Sequence, residues 1–340
     1  MRKLILSLDG GGIRGAATTQ FLTHVETELK NNGKSLRDCV DFYAGTSTGS
    51  IIALALATTD MTVTDINSLY SVGTAKKIFT ENKGLFEIDG INAPKYEAKP
   101  KHKVLSDNFK TATLGDVADD KHVLAMAYDI EKRKPTIFKS TKKNHLTIKS
   151  AEVADASSAA PTYFPTKELK IPRIANESWL IDGGVIANNP TMCAIAEARR
   201  NWTSLTMKDF HVLSIGTGYK TRKINGPKSQ KWGALQWMTK GDILDILGDE
   251  RVVAYQGITM IDNGNYIRVN SELKQTSWLP NPPDDAMDDI SKGNINKLKS
   301  LGDYWFKVYG DAVVQLLLDS YQGDSLDYID PITGLPRTFP

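Results

Sequence analysis

The chain has 340 residues, of which 41% are hydrophobic and 24% are charged. This balance is ordinary for a folded globular protein and excludes the disordered and collagen-like classes. Lys and Arg number 42 against 40 Asp and Glu, so the formal net charge of +2 supplies no general attraction to nucleic acid, and no nucleic-acid partner is expected.

The first predicted element is a short apolar strand, Leu4–Leu8, which runs directly into "DGGGIRG", Asp9–Gly15. Its apolar run is too short for a signal peptide, and no run in the chain approaches the roughly 20 residues of a membrane span. We therefore expect a protein that is cytoplasmic, or delivered without a cleaved signal peptide, and that contacts membranes only peripherally.

Strands and helices alternate after this point. A helix is predicted over Gly15–Lys30, a strand over Cys39–Gly45 and a helix over Ser47–Thr59. This β-α-β-α order predicts an α/β fold with a mainly parallel central sheet. Further elements are predicted as follows: strands over His122–Ile130, Pro135–Ser140, Ser178–Asp182 and His211–Gly218, and a helix from Asn189-Pro190 to about Trp202.

The pattern becomes mostly helical beyond Thr221. We expect residues 1–220 to form the catalytic core and residues 221–340 to pack on the same domain. The two cysteines, Cys39 and Cys193, form no C-x-x-C pair, so neither a disulfide framework nor a zinc site is predicted.

The glycine-rich loop permits two interpretations. Gly10, Gly12 and Gly15 match G-x-G-x-x-G, which binds the pyrophosphate of a dinucleotide. The same backbone can instead point N–H groups at the oxyanion of an acyl-transfer reaction. A dinucleotide site also expects an acidic residue at the end of the second strand, where this chain has Gly45-Thr46-Ser47.

The segment "GTSTG", Gly45–Gly49, is a G-x-S-x-G sequence between a predicted strand and a predicted helix. This context is typical of a nucleophile elbow, in which a sharp turn exposes the serine, here Ser47. The two glycines leave room for the turn. A tight turn with no catalytic role is the alternative interpretation.

A nucleophilic serine needs a base, and the histidines are poorly placed to supply it. Among the five, only His211 follows both Ser47 and a plausible acid, but it opens its strand and so lies about 16 Å from the carboxyl end where ligands bind. Asp182 ends an apolar strand, and two glycines follow it. Its carboxylate can serve as a general base for Ser47, or it can cap a turn.

Five blocks of sequence carry a resemblance to a known family. They are, in chain order, "LDGGGIRG", "AGTSTGS", "SSAAPTYFP" (Ser157–Pro165), "IDGGVIANNP" (Ile181–Pro190) and "LSIGTG". Together with the tail over Ala286–Asp303, this set resembles the patatin-like phospholipases over nearly the whole chain.

The resemblance implies a three-layer α/β/α fold and a catalytic dyad of Ser47 and Asp182 without histidine. It also implies an oxyanion hole in the loop after the first strand, with Arg14 beside the glycines Gly10, Gly11 and Gly12. The activity implied is lipid acyl hydrolysis, with phospholipid, lysophospholipid or galactolipid as substrate and with no metal or cofactor. The chain departs from the family pattern at Ser50, often glycine, and at Asp155, often arginine.

Three other segments invite functional interpretation. The lysine-rich, partly aromatic stretch Lys76–Lys103 suits either a lid over anionic headgroups or a solvated surface loop. The segment Lys231–Leu247, with Trp232 and Trp237, suits either a membrane-interfacial helix or a packed one. A cluster of four aspartates lacks the spacing of a calcium loop and fits the start of a helix: Asp284, Asp285, Asp288 and Asp289.

Two other functions remain open at this level. One is a dinucleotide-binding module that uses the glycine-rich loop. The other is a catalytically silent patatin-like fold that binds a partner.

Overall fold

The computed structural model of the chain describes residues 2–82, 93–233, 236–237 and 249–338. Of the expected interfacial segment over 231–247, residues 234–235 and 238–247 lie outside the described residues, and so does the middle of the lysine-rich stretch. Within the described residues, no helix combines the length and the apolar character that crossing a bilayer requires.

The described elements begin with the predicted β-α-β order. The strands are β1 Lys3–Leu8, β2 Phe42–Thr46, β3 His122–Asp129, β4 Lys134–Lys139, β5 Lys167–Leu169, β6 Ser178–Asp182, β7 Phe210–Ile215, β8 Tyr266–Val269, β9 Tyr328–Ile329 and β10 Pro336–Arg337. The α-helices are α1 Gly15–Asn31, α2 Leu36–Cys39, α3 Thr48–Thr58, α4 Val63–Ser68, α5 Val72–Ile78, α6 Ala98–Phe109, α7 Ser150–Ser157, α8 Gly184–Ala187, α9 Thr191–Asn201, α10 Gly226–Ser229, α11 Arg251–Met260 and α12 Lys292–Leu317. Short 3₁₀ helices cover Gly12–Arg14, Leu114–Asp116, Lys143–His145 and Met207–Asp209.

The central sheet is mixed but mostly parallel, which confirms the predicted fold class. Its order is β5-β6-β3-β2-β1-β7-β8, and β4 also pairs with β3. The run β3-β2-β1-β7-β8 is parallel throughout, whereas β4, β5 and β6 make antiparallel pairs. Strand β1 therefore lies inside the sheet, with a neighbour on either side.

Apolar side chains cover both faces of the sheet, as a three-layer architecture requires. On β1, Leu4, Leu6 and Leu8 belong to the core cluster that includes residues of α1, α3, α7 and α12. Ile5 belongs to the opposite cluster, which includes residues of α9. Neighbouring strands alternate in the same way, because successive side chains point to opposite faces.

One predicted strand starts later than expected. Cys39 was assigned to the second strand, but it is the last residue of α2. Ser35 and Asp38 form a reciprocal capping box, in which each side chain accepts a hydrogen bond from the other residue's backbone N–H. This local pairing stabilises a helical turn and delays the strand to Phe42.

Strands β2 and β6 meet end to end along one edge of β3. Thr46, the last residue of β2, pairs with Met126, and Asp182, the last residue of β6, pairs with the next residue, Ala127. Strand β4 pairs with β3 over the same stretch, so it occupies the other edge. The chain turn after Thr46 therefore faces the end of β6, which places Ser47 beside Asp182.

Elements after residue 220 are built into the same layers. Strand β8 extends the sheet beyond β7. Helix α12 packs so closely on α1 that a Cβ added at Gly302 would lie 2.5 Å from the Ala17 carbonyl oxygen. The buried Trp305 of α12 donates from Nε1 to Ser271 Oγ at 2.9 Å. We infer that residues 1–220 and the described part of 221–340 form one folding unit.

A chain truncated after residue 220 should therefore lack a cooperative fold. The truncation removes α12, which packs on α1. It also leaves the buried Asp9, the residue after β1, without its partner Arg268, and an unpaired buried charge is strongly destabilising. Thermal unfolding followed by circular dichroism should show one transition for the full chain and none for the truncated chain. A sharp transition for residues 1–220 alone would contradict the single unit.

Candidate active site

Ser47 occupies the sharp turn between β2 and α3. Its backbone has φ 53° and ψ −122°, a left-handed conformation that is unfavourable for a residue with a side chain. The flanking glycines allow the turn: a Cβ at Gly45 would lie 2.3 Å from the Gly49 carbonyl oxygen, and a Cβ at Gly49 would lie 2.1 Å from that of Leu8. The turn thus has the conformation of a nucleophile elbow.

Ser47 and Asp182 are in direct contact. The Ser47 hydroxyl donates to Asp182 Oδ2 at 2.6 Å, and the Gly184 N–H donates to Asp182 Oδ1 at 2.7 Å. Both catalytic candidates are nearly buried, at 9% and 5% exposure. Burial raises the pKa of Asp182 to about 6, although the two hydrogen bonds and the charge of Lys101 act in the opposite direction. Such a carboxylate is a stronger base than an exposed one.

His211 lies at the opposite end of the sheet, as its place in the sequence predicted. It pairs with Leu4 near the start of β1, whereas Leu8 at the end of β1 pairs with Gly45, two residues before Ser47. Four residues of strand, about 13 Å, separate the two levels. This geometry leaves His211 out of reach of the dyad.

One segment at the end of α7 fixes the backbones of both dyad residues. The Ser47 N–H donates to Ser157 Oγ at 3.0 Å, and the Asp182 N–H donates to the Ala159 carbonyl at 3.0 Å. The Gly183 N–H donates to the Ser157 carbonyl at 3.3 Å. Sequence reasoning quoted this segment as part of "SSAAPTYFP" but assigned no contact to it.

The glycine-rich loop lies beside Ser47, and its N–H groups are not equivalent. The Gly10 N–H donates to the Asn188 carbonyl at 3.1 Å, so it is already engaged. The N–H groups of Gly11 and Gly12 have no acceptor among the residues that the structure describes. Gly12 has φ +59°, and a Cβ there would lie 2.3 Å from the Met287 carbonyl oxygen, so the close fit of this loop depends on glycine.

Arg14 points away from the dyad and toward the backbone of the loop. Its guanidinium donates to the Gly11 carbonyl at 3.3 Å and to the Gly218 carbonyl at 2.9 Å. The adjacent Ile13 N–H donates to the Met287 carbonyl at 2.9 Å. These contacts hold the carbonyl side of the loop, which leaves the N–H side of Gly11 and Gly12 available.

A buried ionic network underlies the loop. Arg268 binds Asp9 at 2.5 Å and Glu250 at 3.2 Å, and it donates to Ser214 Oγ at 2.7 Å. Asn188, whose carbonyl accepts from Gly10, donates through its amide to Glu250 at 3.0 Å. Burial favours the neutral form of Glu250, but Arg268 together with Asp9, Arg14 and Asn270 lowers the pKa of Glu250. Neither Arg268 nor Glu250 was a site candidate from the sequence.

An apolar cavity lies next to Ser47, and the space within it that a water-sized sphere can occupy is about 70 Å³. Helices α3, α5 and α6 and the segment that ends at Phe164 form its wall. The lining residues are Gly12, Ile13, Ser47, Thr48, Ile51, Leu69, Tyr70, Ala75, Ile78, Phe79, Lys101, Val104, Leu105, Asn108, Ser158, Ala160, Tyr163, Phe164 and Met287. The apolar lining of this cavity suits the hydrocarbon part of a ligand.

Asp155, an expected departure from the family pattern, forms buried ion pairs. It accepts from Lys101 at 3.0 Å, His102 at 3.1 Å and Lys167 at 3.2 Å. Burial opposes its charge, but the two lysines and the hydrogen bond from His102 together lower the pKa of Asp155. The expectation of solvated lysines over Lys76–Lys103 is therefore wrong for Lys101, which is 3% exposed.

The second departure, Ser50, is accommodated by a hydrogen bond. The Ser50 hydroxyl donates to the Ser47 carbonyl at 2.6 Å within the first turn of α3.

Two residues of the acidic cluster make contacts across the fold. Asp285 pairs with Lys220 at 3.1 Å, and Asp288 accepts from the Tyr96 hydroxyl at 2.6 Å. Tyr96 in turn packs against Phe79 and Phe164 of the cavity wall, with ring centroids 5.1 and 5.6 Å apart.

Comparisons with known proteins identify a family and similar sequences. The family described as "Patatin-like phospholipase" matches residues 6–195. Patatin-like protein 2 of Arabidopsis thaliana is 34% identical over 72% of this chain and 67% of its own length. Patatin-like protein 2 of Oryza sativa subsp. indica is 29% identical over 88% of this chain and 82% of its own length.

A potato protein is also similar, and its name bears on activity. "Probable inactive patatin-3-Kuras 1" of Solanum tuberosum is 29% identical over 69% of this chain and 68% of its own length. The match of the family to more than half of the chain, with a serine elbow and an adjacent aspartate in the fold, settles the assignment at family level. The chain belongs to the patatin-like phospholipases.

Proposed function

We propose that the protein is a serine acyl-ester hydrolase that releases fatty acids from membrane glycerolipids. The observation that carries this proposal is the 2.6 Å hydrogen bond from Ser47 Oγ to Asp182 Oδ2 beside an apolar cavity. A serine in contact with a buried carboxylate has a base for its proton, and the cavity offers an apolar environment for an acyl chain.

In the proposed reaction, Asp182 accepts the hydroxyl proton of Ser47 while Ser47 Oγ attacks the ester carbonyl. The N–H groups of Gly11 and Gly12 donate to the oxyanion of the tetrahedral intermediate. Collapse of this intermediate breaks the ester bond, and the leaving alcohol takes the proton from Asp182. Water then loses a proton to Asp182 and attacks the acyl-enzyme. The second tetrahedral intermediate collapses as Asp182 returns this proton to Ser47 Oγ, which releases the fatty acid and free Ser47.

The substrate class follows from the wall of the cavity. Most of its lining residues are aliphatic or aromatic, so the cavity favours an acyl chain over a polar substrate. The ester carbonyl would lie at the Ser47 end, between the nucleophile and the glycine-rich loop. Phospholipids, lysophospholipids and galactolipids all present such a chain and ester.

A catalytically silent fold is the competing function, because a similar potato protein is named as inactive. Both dyad positions are filled and in hydrogen-bond contact here, which favours activity. The dinucleotide interpretation has no support in the position after β2, where the chain turns at Ser47 and supplies no acidic residue. Covalent labelling of Ser47 by a fluorophosphonate separates these functions, since only a hydrolase activates the serine.

Ser47→Ala and Asp182→Asn should each lower fatty-acid release from phospholipid vesicles by about 10³-fold or more, because each removes a partner in the same proton transfer. Mass spectrometry of the released acids is the measurement. Ser68→Ala and Asp107→Asn, on exposed residues of α4 and α6, are matched controls that should retain wild-type rates. Substantial activity in either dyad variant would exclude the dyad.

Activity should depend on a group with a pKa of about 6 in the free enzyme. Asp182 must be deprotonated to accept the serine proton, so kcat/KM for a soluble p-nitrophenyl ester should fall as the pH drops through about 6. The pH profile of the wild type measures this midpoint. A midpoint near the ordinary aspartate pKa of about 4 would show that a buried carboxylate is not the base.

Val104→Trp should select against long acyl chains. Val104 lines the cavity from α6 and is only half-buried, so a larger side chain there fills the cavity without displacing the core. We expect about a tenfold or greater loss of kcat/KM for p-nitrophenyl palmitate, with the acetate ester hydrolysed at nearly the wild-type rate. Val104→Ala is the control and should retain both activities. Equal losses for the two esters would exclude this cavity as the acyl site.

A further inference from the structure

Lys101 is a buried cation whose hydrogen bonds all go to one end of α7. Its Nζ donates to the Asp155 carbonyl at 3.1 Å, to the Ser158 carbonyl at 3.0 Å and to Ser158 Oγ at 3.2 Å. It also pairs with the Asp155 carboxylate at 3.0 Å. The last carbonyls of a helix lack partners within the helix, so a lysine from α6 caps α7 here.

The capped segment is also the one that fixes the dyad. Ser157 accepts from the N–H groups of Ser47 and Gly183, and Ala159 accepts from the N–H of Asp182. A displacement at the end of α7 would therefore move the nucleophile and the base together. Because the dyad hydrogen bond is short, a small shift of either backbone would weaken it.

The charge of Lys101 acts on the same site. Lys101 lines the cavity with Ser47, and its Nζ lies 4.4 Å from the centre of the Phe164 ring in the cavity wall. We propose that Lys101 is a positioning residue for hydrolysis: its ammonium caps the segment that holds both dyad residues and keeps a positive charge in the wall of the cavity that contains Ser47. This inference rests on the proposed function of the dyad.

The electrostatic part has a definite direction. The positive charge of Lys101 favours ionised Asp182 and lowers its pKa, in opposition to burial. The charged groups packed around this region are Lys101 and His102 from α6, Glu152 and Asp155 from α7, and Lys167 from β5. Among these groups, the charge of Lys101 is the one that lowers the pKa of Asp182. Asp155 also contacts His102 and Lys167, and Glu152 pairs with Lys167 at 2.7 Å. Removal of the lysine charge should therefore raise the pKa of Asp182.

A comparison of pH profiles tests this role. In Lys101→Met, the acidic midpoint of kcat/KM for a soluble p-nitrophenyl ester should rise by about half a pH unit or more, within the range that a nearby charge produces. In Asp155→Asn, which keeps the lysine charge but removes its carboxylate partner, the midpoint should not rise. Lys101→Arg should restore the wild-type midpoint even where the rate is lower.

The double variant Lys101→Met/Asp155→Asn covers the case in which Lys101→Met does not fold, because it leaves no unpaired charge from this pair. Its midpoint should also rise. The rate of fluorophosphonate labelling of Ser47 against pH repeats the measurement without a lipid or ester substrate.

Three outcomes would overturn the inference. A wild-type rate and midpoint in the folded methionine variants would show that Lys101 does nothing for the reaction. An equal loss of rate at every pH, with no change of midpoint, would reduce it to a helix cap without an electrostatic role. A wild type that reacts with no fluorophosphonate would remove the dyad and this inference together. A wild type that labels normally but hydrolyses no lipid would contradict the proposed substrate class and leave the role of Lys101 intact.

Discussion

The meeting of two strand ends on one edge of β3 is the constraint from which the site follows. A strand edge offers one row of backbone hydrogen-bonding groups, and β2 uses the first part of that row while β6 uses the remainder. Each strand must turn away where it reaches the other. Ser47 and Asp182 lie at these two turns, so backbone pairing alone brings their side chains together across 135 positions of sequence.

Close approach of the backbone then determines where glycine is needed. The elbow packs so tightly against the end of β1 that a Cβ at Gly49 would overlap the Leu8 carbonyl oxygen. After β6, a Cβ at Gly183 would lie 2.4 Å from the Met126 carbonyl oxygen. The same tightness places the glycine-rich loop beside the nucleophile. These contacts explain why the motifs of this chain are rich in glycine: each missing side chain allows one backbone segment to approach another.

Two buried ionic networks flank the dyad and differ in position. One lies under the glycine-rich loop, where Arg268 joins Asp9 to Glu250. The other lies at the end of α7, where Asp155 contacts Lys101, His102 and Lys167. Loss of one member of such a pair leaves a buried charge without compensation, typically at a cost of about 3–5 kcal/mol. The backbone positions of Ser47 and Asp182 thus depend on charged side chains that take no part in the proposed reaction.

The sequence by itself determined most elements and the candidates for the reacting residues. Apolar runs and glycine-bounded turns predicted β1, β6 and the elbow, because these signals are local: alternation, caps and turns depend on neighbours in the chain. Ser47 and Asp182 were identified in the same way, from a turn motif and a strand end. Only the tertiary structure decided that Lys101 is buried, that the Gly10 amide is engaged by Asn188 and that Arg14 supports a backbone. Those facts depend on groups far apart in sequence. A local pattern does not indicate whether a lysine will pair with a buried carboxylate, or whether a glycine N–H will have an acceptor.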